Sequence, residues 1–190
     1  MKEQQIEEYE ISSCTMFLKP VVYGSKIYSQ IYEVEDCFLS PFKPLDIIKN
    51  SCDYFGVDYE SRKRGTRKLT GYNRKNPIAI EPTNHIFFFP TASPSIPECI
   101  WLSQAHIKDY RRAGANQTLI TFHNKQSYLF PVSCSTIETQ LLRTALLKST
   151  ILQRIEHKGR KLTYLLHVPK ALQASESTHE YAGEFSKGEE

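Results

Sequence analysis

No apolar run in this 190-residue chain approaches the ~20 residues that a membrane-spanning helix needs. The opening residues, Met1-Lys2-Glu3-Gln4-Gln5, lack the apolar stretch of a signal peptide. Together these absences predict a soluble cytoplasmic protein with no membrane partner. The five cysteines (Cys14, Cys37, Cys52, Cys99, Cys134) make an odd count and include no C-x-x-C pair. That argues against a disulfide framework and against a zinc site, and predicts buried free thiols in a reducing compartment. No P-loop and no G-x-G-x-x-G is present. Glu81, Glu98 and Asp109 are too dispersed for a metal-dependent nuclease. Ser103, His106 and Asp109 lie near one another in sequence, but no glycine-flanked nucleophile turn or oxyanion loop accompanies them. The expectation is no catalytic residue, no metal and no cofactor.

What the chain does have is a concentrated cationic stretch. Arg62-Lys63-Arg64-Gly65-Thr66-Arg67-Lys68-Leu69-Thr70-Gly71-Tyr72-Asn73-Arg74-Lys75 contains seven basic residues in fourteen and no acidic one. So many like charges repel unless a polyanion neutralises them, and arginine grips phosphate with a planar fork. The net charge of +3 conceals this asymmetry. Residues 1–61 carry 5 basic and 11 acidic side chains, residues 62–170 carry 18 and 5, and residues 171–190 carry 1 and 5. A basic body between two acidic ends suits a nucleic-acid binder.

A hydrophobic fraction of 40% with 12% aromatics supplies a core. The expected organisation is an acidic lead-in over 1–16, a single domain over 17–170 and an acidic, disordered tail over 171–190. Residues 1–13 read as frayed. Ile27, Tyr28, Ile31, Tyr32, Val34 and Phe38 predict one or two strands after a turn at Gly24. A helix is expected over about 43–55: Pro44 suits its first position, Leu45, Ile48, Cys52 and Phe55 recur at helical spacing, and Gly56 stops it. The basic stretch is expected as a glycine-bearing loop or ribbon, with Thr66–Tyr72 as a short strand and Gly65 and Gly71 as points of close backbone approach.

Ile78–Ile80 and Ile86–Phe89 read as buried strands, followed by a proline-rich loop. Strands are then expected over Ile100–Tyr110, Thr118–His123 and Ser127–Val132, with Asn124-Lys125 as a tight turn. Lys108, Arg111 and Arg112 form a second basic cluster on them. A long helix over about 136–157, capped by Ser133 or Ser135, places Ile137, Leu141, Ala145, Ile151, Leu152 and Ile155 on one face, interrupted by Lys148. Leu142 and Leu146 fall on its polar side and are candidates for a subunit contact. Trp101 and the phenylalanine run read as core. The fold class is therefore α+β, antiparallel strands with two main helices.

The first-rank contacts to nucleic acid are Arg62, Lys63, Arg64, Arg67, Lys68, Arg74 and Lys75, and the second-rank ones are Lys108, Arg111 and Arg112. Seven neutralised phosphates predict a salt slope of about −6. A cationic ribbon reaches duplex DNA by phosphate contacts and by arginine in a narrow minor groove. An RNA-binding module and a nucleic-acid-processing enzyme are the alternatives from these residues.

Over roughly residues 26–158 a collinear set of short runs carries a further signal. They include Lys43-Pro44-Leu45, Ser51-Cys52, Phe55-Gly56, Arg62-Lys63, Gly65-Thr66, Pro77-Ile78, Phe89-Pro90-Thr91, Trp101, His106, Gln140, Arg143-Thr144 and Arg154-Ile155. In these the chain resembles the ComK competence transcription factors of low-GC Gram-positive bacteria. The resemblance implies a DNA-binding activator of DNA-uptake genes that acts at the nucleoid. It also implies a dimer, or a dimer of dimers, on paired A/T-rich boxes met largely through the minor groove. Finally, it implies delivery to a Clp protease by an adaptor that takes a C-terminal segment, here aligned with Leu165-Leu166-His167-Val168-Pro169-Lys170 but without the family's aromatics. Ser61, Asn76 and Thr139 depart from the family pattern, which has glycine, proline and asparagine there.

Overall fold

The computed structural model describes residues 4–167, with Gln4 and residues 158–167 described as backbone only. The adaptor segment's last three residues and the expected acidic tail over 171–190 lie outside the described residues. The chain divides into two compact units, Met1–Leu152 and Gln153–Glu190. The second unit's described part, through His167, is helical.

The elements run β1 (Gln4–Gln5), β2 (Thr15–Tyr23), β3 (Lys26–Glu33), β4 (Cys37–Ser40), α1 (Pro44–Tyr54), α2 (Tyr59–Thr70), β5 (Ile78–Glu81), β6 (Ile86–Pro90), β7 (Trp101–Ser103), β8 (Ile107–Gly114), β9 (Gln117–Phe122), β10 (Ser127–Phe130) and α3 (Cys134–His167). The fold is α+β. Seven strands form one sheet in the order β1-β4-β3-β2-β7-β6-β5, all pairs antiparallel except β1 with β4. A second antiparallel sheet runs β10-β9-β8.

Alternation along the central strands sets the layers, because successive side chains on a strand point to opposite faces. Leu18, Phe88 and Trp101 point to one face and pack with Ile47, Ile48 and Cys52 of α1 and Tyr59 of α2. Phe17, Phe89 and Leu102 point to the other and pack with Ile120, Phe122 and Phe130 of the small sheet and Ile137 of α3. Phe17 is the hub of that second core. Its ring stacks on Tyr32 at 4.2 Å and meets Phe122, Tyr128 and Phe130 at 5.3, 5.0 and 5.1 Å. Trp101 is fully buried, as are Phe87, Phe88 and Phe89.

Several elements depart from expectation. The residues expected as a frayed lead-in are held: β1 pairs with β4, Ile11 is buried, and the Tyr9 hydroxyl donates to Glu33 at 2.6 Å. Thr15–Tyr23, not anticipated as a strand, pairs along β3. The expected strand over Ile100–Tyr110 is two strands in different sheets, separated by a 3-10 turn at Gln104–His106. The long helix starts at Cys134, where the Ser133 hydroxyl accepts from the Thr136 amide at 3.3 Å, and continues to His167. Its buried side is Ile137, Gln140, Thr144 and Leu147, whereas Ala145 and Ile155 are exposed. Two polar residues on the buried side break the hydrophobic period, which displaced the expected face. Among the cysteines Cys37, Cys52 and Cys99 are buried, but Cys14 is exposed and Cys134 half-buried. Burial pushes the Cys52 thiol up to about 12.

The largest correction concerns the basic stretch. Through Thr70 it is helix α2, with no strand over Thr66–Tyr72, and only Gly71–Lys75 is loop. Asp58 begins it, its carboxylate accepting from the Ser61 amide at 2.9 Å, a normal N-cap. Gly71, at φ +75, ends it in the left-handed cap conformation.

Candidate nucleic-acid interface

Four side chains fasten α2 to the body. Tyr59 is buried edge-on to Trp101, 6.5 Å between centroids. The Thr66 hydroxyl donates to the Pro77 carbonyl at 2.9 Å, and Leu69 packs with Phe87 and Leu147. Arg62 is the fourth: its Nη2 donates to the Ile80 carbonyl of β5 at 3.1 Å, and its Nε is buried without a partner. These positions recur every three to four residues, so the opposite side of the helix faces water. There Arg64, Arg67 and Lys68 are exposed, with Lys63 at the margin in a 3.2 Å ion pair to Glu60. Arg67 and Lys68 also sit in the last turn, where the helix dipole favours positive charge.

Beyond Gly71 the chain turns back through Tyr72, Asn73, Arg74 and Lys75 before entering β5. This loop is clamped by α3. The Arg143 guanidinium lies 4.6 Å over the Tyr72 ring and donates to the Arg74 carbonyl at 3.1 Å. Gln140, 2% exposed, donates to the Lys75 carbonyl at 3.0 Å and to the Pro90 carbonyl at 2.6 Å. With their carbonyls held, Arg74 and Lys75 present exposed side chains. A cleft of about 670 Å³ opens beside them, lined also by Lys49 and Lys63.

Six of the seven first-rank cations are thus gathered on one ridge, the exposed side of α2 and the loop after it. Arg62 is directed into the body. Lys108, Arg111 and Arg112 are exposed on β8, an edge strand of the small sheet. That sheet covers the face of the large sheet opposite to α1 and α2, so the fold separates the two basic clusters. His106 is taken up structurally: its Nε2 meets the Ser13 carbonyl at 2.8 Å, and burial holds its pKa below the usual imidazole value. Ser103 is buried. Among the described residues no cluster of His, Cys, Asp or Glu is arranged to hold a metal ion, and no helix is long and apolar enough to cross a membrane. The positioning roles of Asp58, Thr66, Gln140 and Arg143 escaped the reading of charge alone. A polar residue recurring at helical spacing with Ile137 was the available signal for Gln140.

The ComK protein family matches residues 6–156. The chain belongs to the ComK family. The competence transcription factor of Bacillus subtilis (strain 168) is 36% identical over 165 residues, which are 87% of this chain and 86% of the relative. No solved structure matches. The ComK match spans every element that builds the ridge, from α1 through the first half of α3.

Proposed function

We propose that this chain is a sequence-specific DNA-binding activator of competence genes, acting in the cytoplasm at the nucleoid, with no chemistry of its own. Membership of the ComK family supports the biological role. The observation that carries the binding mode is the exposed cationic ridge of α2 and the clamped loop after it. An α-helix with its side chains is ~10–12 Å across, about twice the width of the minor groove. The helix therefore lies along the phosphates through Arg64, Arg67 and Lys68, while Arg74 on the narrower loop reaches the minor-groove floor of A/T-rich boxes, whose narrowness concentrates negative potential. With Arg62 turned inward and Arg74 in the groove, five phosphate contacts predict a salt slope of about −4.5.

Lys108, Arg111 and Arg112 serve a different stretch of DNA or a second protomer, since they occupy the other side of the sheet. In the dimer, Leu142 and Leu146 of α3 form the subunit contact, and adaptor-mediated proteolysis uses Leu165–Lys170.

Binding of a labelled A/T-rich duplex, followed by anisotropy against salt, tests the reading. Arg67→Ala with Lys68→Ala should lower affinity at least tenfold, make the slope less negative by ~2, and leave circular dichroism unchanged. Arg62→Ala should instead lower stability. Single-stranded RNA should compete poorly; preferential RNA binding would favour a reader of 2′-hydroxyls. Normal affinity in the Arg67/Lys68 variant would remove α2 from the interface.

A further inference from the structure

The cleft beside Arg74 and Lys75 is not isolated. It shares Leu45, Pro94 and Ser95 with a neighbouring depression that runs past the start of α1. That depression shares Ile27, Lys43 and Asp46 with a third, which ends at Ser25 in the turn of the β2–β3 hairpin and Lys26 at the start of β3. The three form one continuous groove from the loop after α2 to the hairpin tip. Along it stand Lys75, Arg74, Lys63, Lys49, Lys43 and Lys26, against two carboxylates, Glu60 and Asp46. Glu60 is already paired with Lys63.

Two features make this more than a solvated charged surface. Lys43 is the N-cap residue of α1 and makes no capping bond with its side chain. A cation is unfavourable at the positive end of a helix dipole, so Lys43 and that end of α1 attract an anion, with Asp46 in the first turn offsetting part of the charge. In the cleft wall Asn76 is 5% exposed, with neither amide atom hydrogen-bonded to another protein group. A buried unpaired amide is costly, and a polar group entering the cleft relieves it.

We infer that this groove carries a DNA sugar-phosphate strand away from α2 to the β2–β3 hairpin, making Lys49, Lys43 and Lys26 a second set of phosphate contacts. The inference rests on the DNA-binding reading above. It extends the footprint to elements that the cationic stretch of the sequence does not include. It also gives the strand a direction across the protein, from β5 towards the hairpin. The occupant is duplex DNA, because six cations stand along the groove against two carboxylates and the groove is open to solvent.

The test is a Lys26→Ala, Lys43→Ala, Lys49→Ala triple variant beside Arg67→Ala with Lys68→Ala. Both are titrated with labelled A/T-rich duplex from low to moderate salt and footprinted with hydroxyl radicals. Three lost phosphate contacts should make the log–log salt slope less negative by ~2–3. Affinity should fall more than tenfold, and protection should shorten at one end only, with urea unfolding unchanged. A triple variant with wild-type slope and footprint, while the α2 variant loses binding, overturns the groove and spares α2. Wild-type behaviour in both variants overturns the DNA-binding site altogether. Loss of binding to inorganic polyphosphate without loss of duplex binding would assign the groove to a free polyanion and overturn the inference.

Discussion

The side-chain amide of Gln140 donates to the backbone carbonyl of Lys75, 65 residues earlier in the chain and 3.0 Å away. Lys75 has a φ of +50, a conformation that a residue with a Cβ rarely adopts. The same amide also bonds the Pro90 carbonyl. One buried side chain therefore ties a strained loop to the end of β6.

Gln140→Ala removes both bonds and leaves two carbonyls short of a donor. At about 1 kcal/mol for each bond, stability in urea should fall by about 2 kcal/mol. Affinity for duplex DNA should fall further, by ~tenfold under conditions where the variant is still folded, because the Arg74–Lys75 segment must then be ordered on binding. If affinity follows only the folded fraction, the clamp serves stability alone.

Gly65 lies inside α2, and a Cβ built on it meets nothing within 4 Å. Gly65→Ala should therefore stabilise the protein by about 0.5–1 kcal/mol, through helix propensity and a less flexible unfolded chain. Thermal unfolding reads that gain. If DNA lies against this point of the helix, the same methyl group lowers affinity. A gain in stability with unchanged binding would place the DNA on the Arg64–Lys68 side only.

Asp58 fixes where α2 begins. Its carboxylate is fully exposed, yet bonds from Ser61, first the side chain and then the backbone amide, hold its pKa below the usual value. A depressed folded-state pKa means that the unfolded chain binds the proton more readily. The stabilisation is thus complete above about pH 4 and is lost as pH falls through the folded-state value. Asp58→Ala should lower stability at pH 7. The difference from wild type should shrink below pH 4, as measured by urea unfolding across a pH series.

Leu142 is 67% exposed and Leu146 43%, one turn apart on α3. In the proposed dimer, Leu142→Asp with Leu146→Asp should shift sedimentation towards monomer without loss of helicity, because neither side chain supports the protomer's core. An unchanged sedimentation coefficient would take α3 out of the interface.

Much of this architecture is legible in the sequence, and the failures share a cause. The stop at Gly56, the hairpin at Asn124-Lys125, and the buried runs at 78–80 and 86–89 are local signals, and the structure keeps them. Lys125 even takes the left-handed φ that a tight turn requires. The basic stretch misleads because the side of α2 that holds it down contains Arg62 and Thr66 where a periodic reading looks for apolar residues. Asp58 as cap and Gly71 as stop were the clues to a helix. β2 is obscured by Pro20, which is tolerated because beyond Leu18 that strand pairs on one side only. That the two basic clusters lie on opposite faces depends on how the sheets stack, and no local pattern encodes it.

Phe17 touches Phe130, more than half the chain away in sequence. During synthesis the N-terminal strands therefore leave the ribosome long before the last strand that covers them. Until β10 emerges, one side of the large sheet stays uncovered, presenting Met16, Phe17, Phe89 and Leu102 to any chaperone or protease in reach. A nascent chain stalled between Ser103 and Phe130 would be a sticky half-sandwich, already carrying its complete cationic helix.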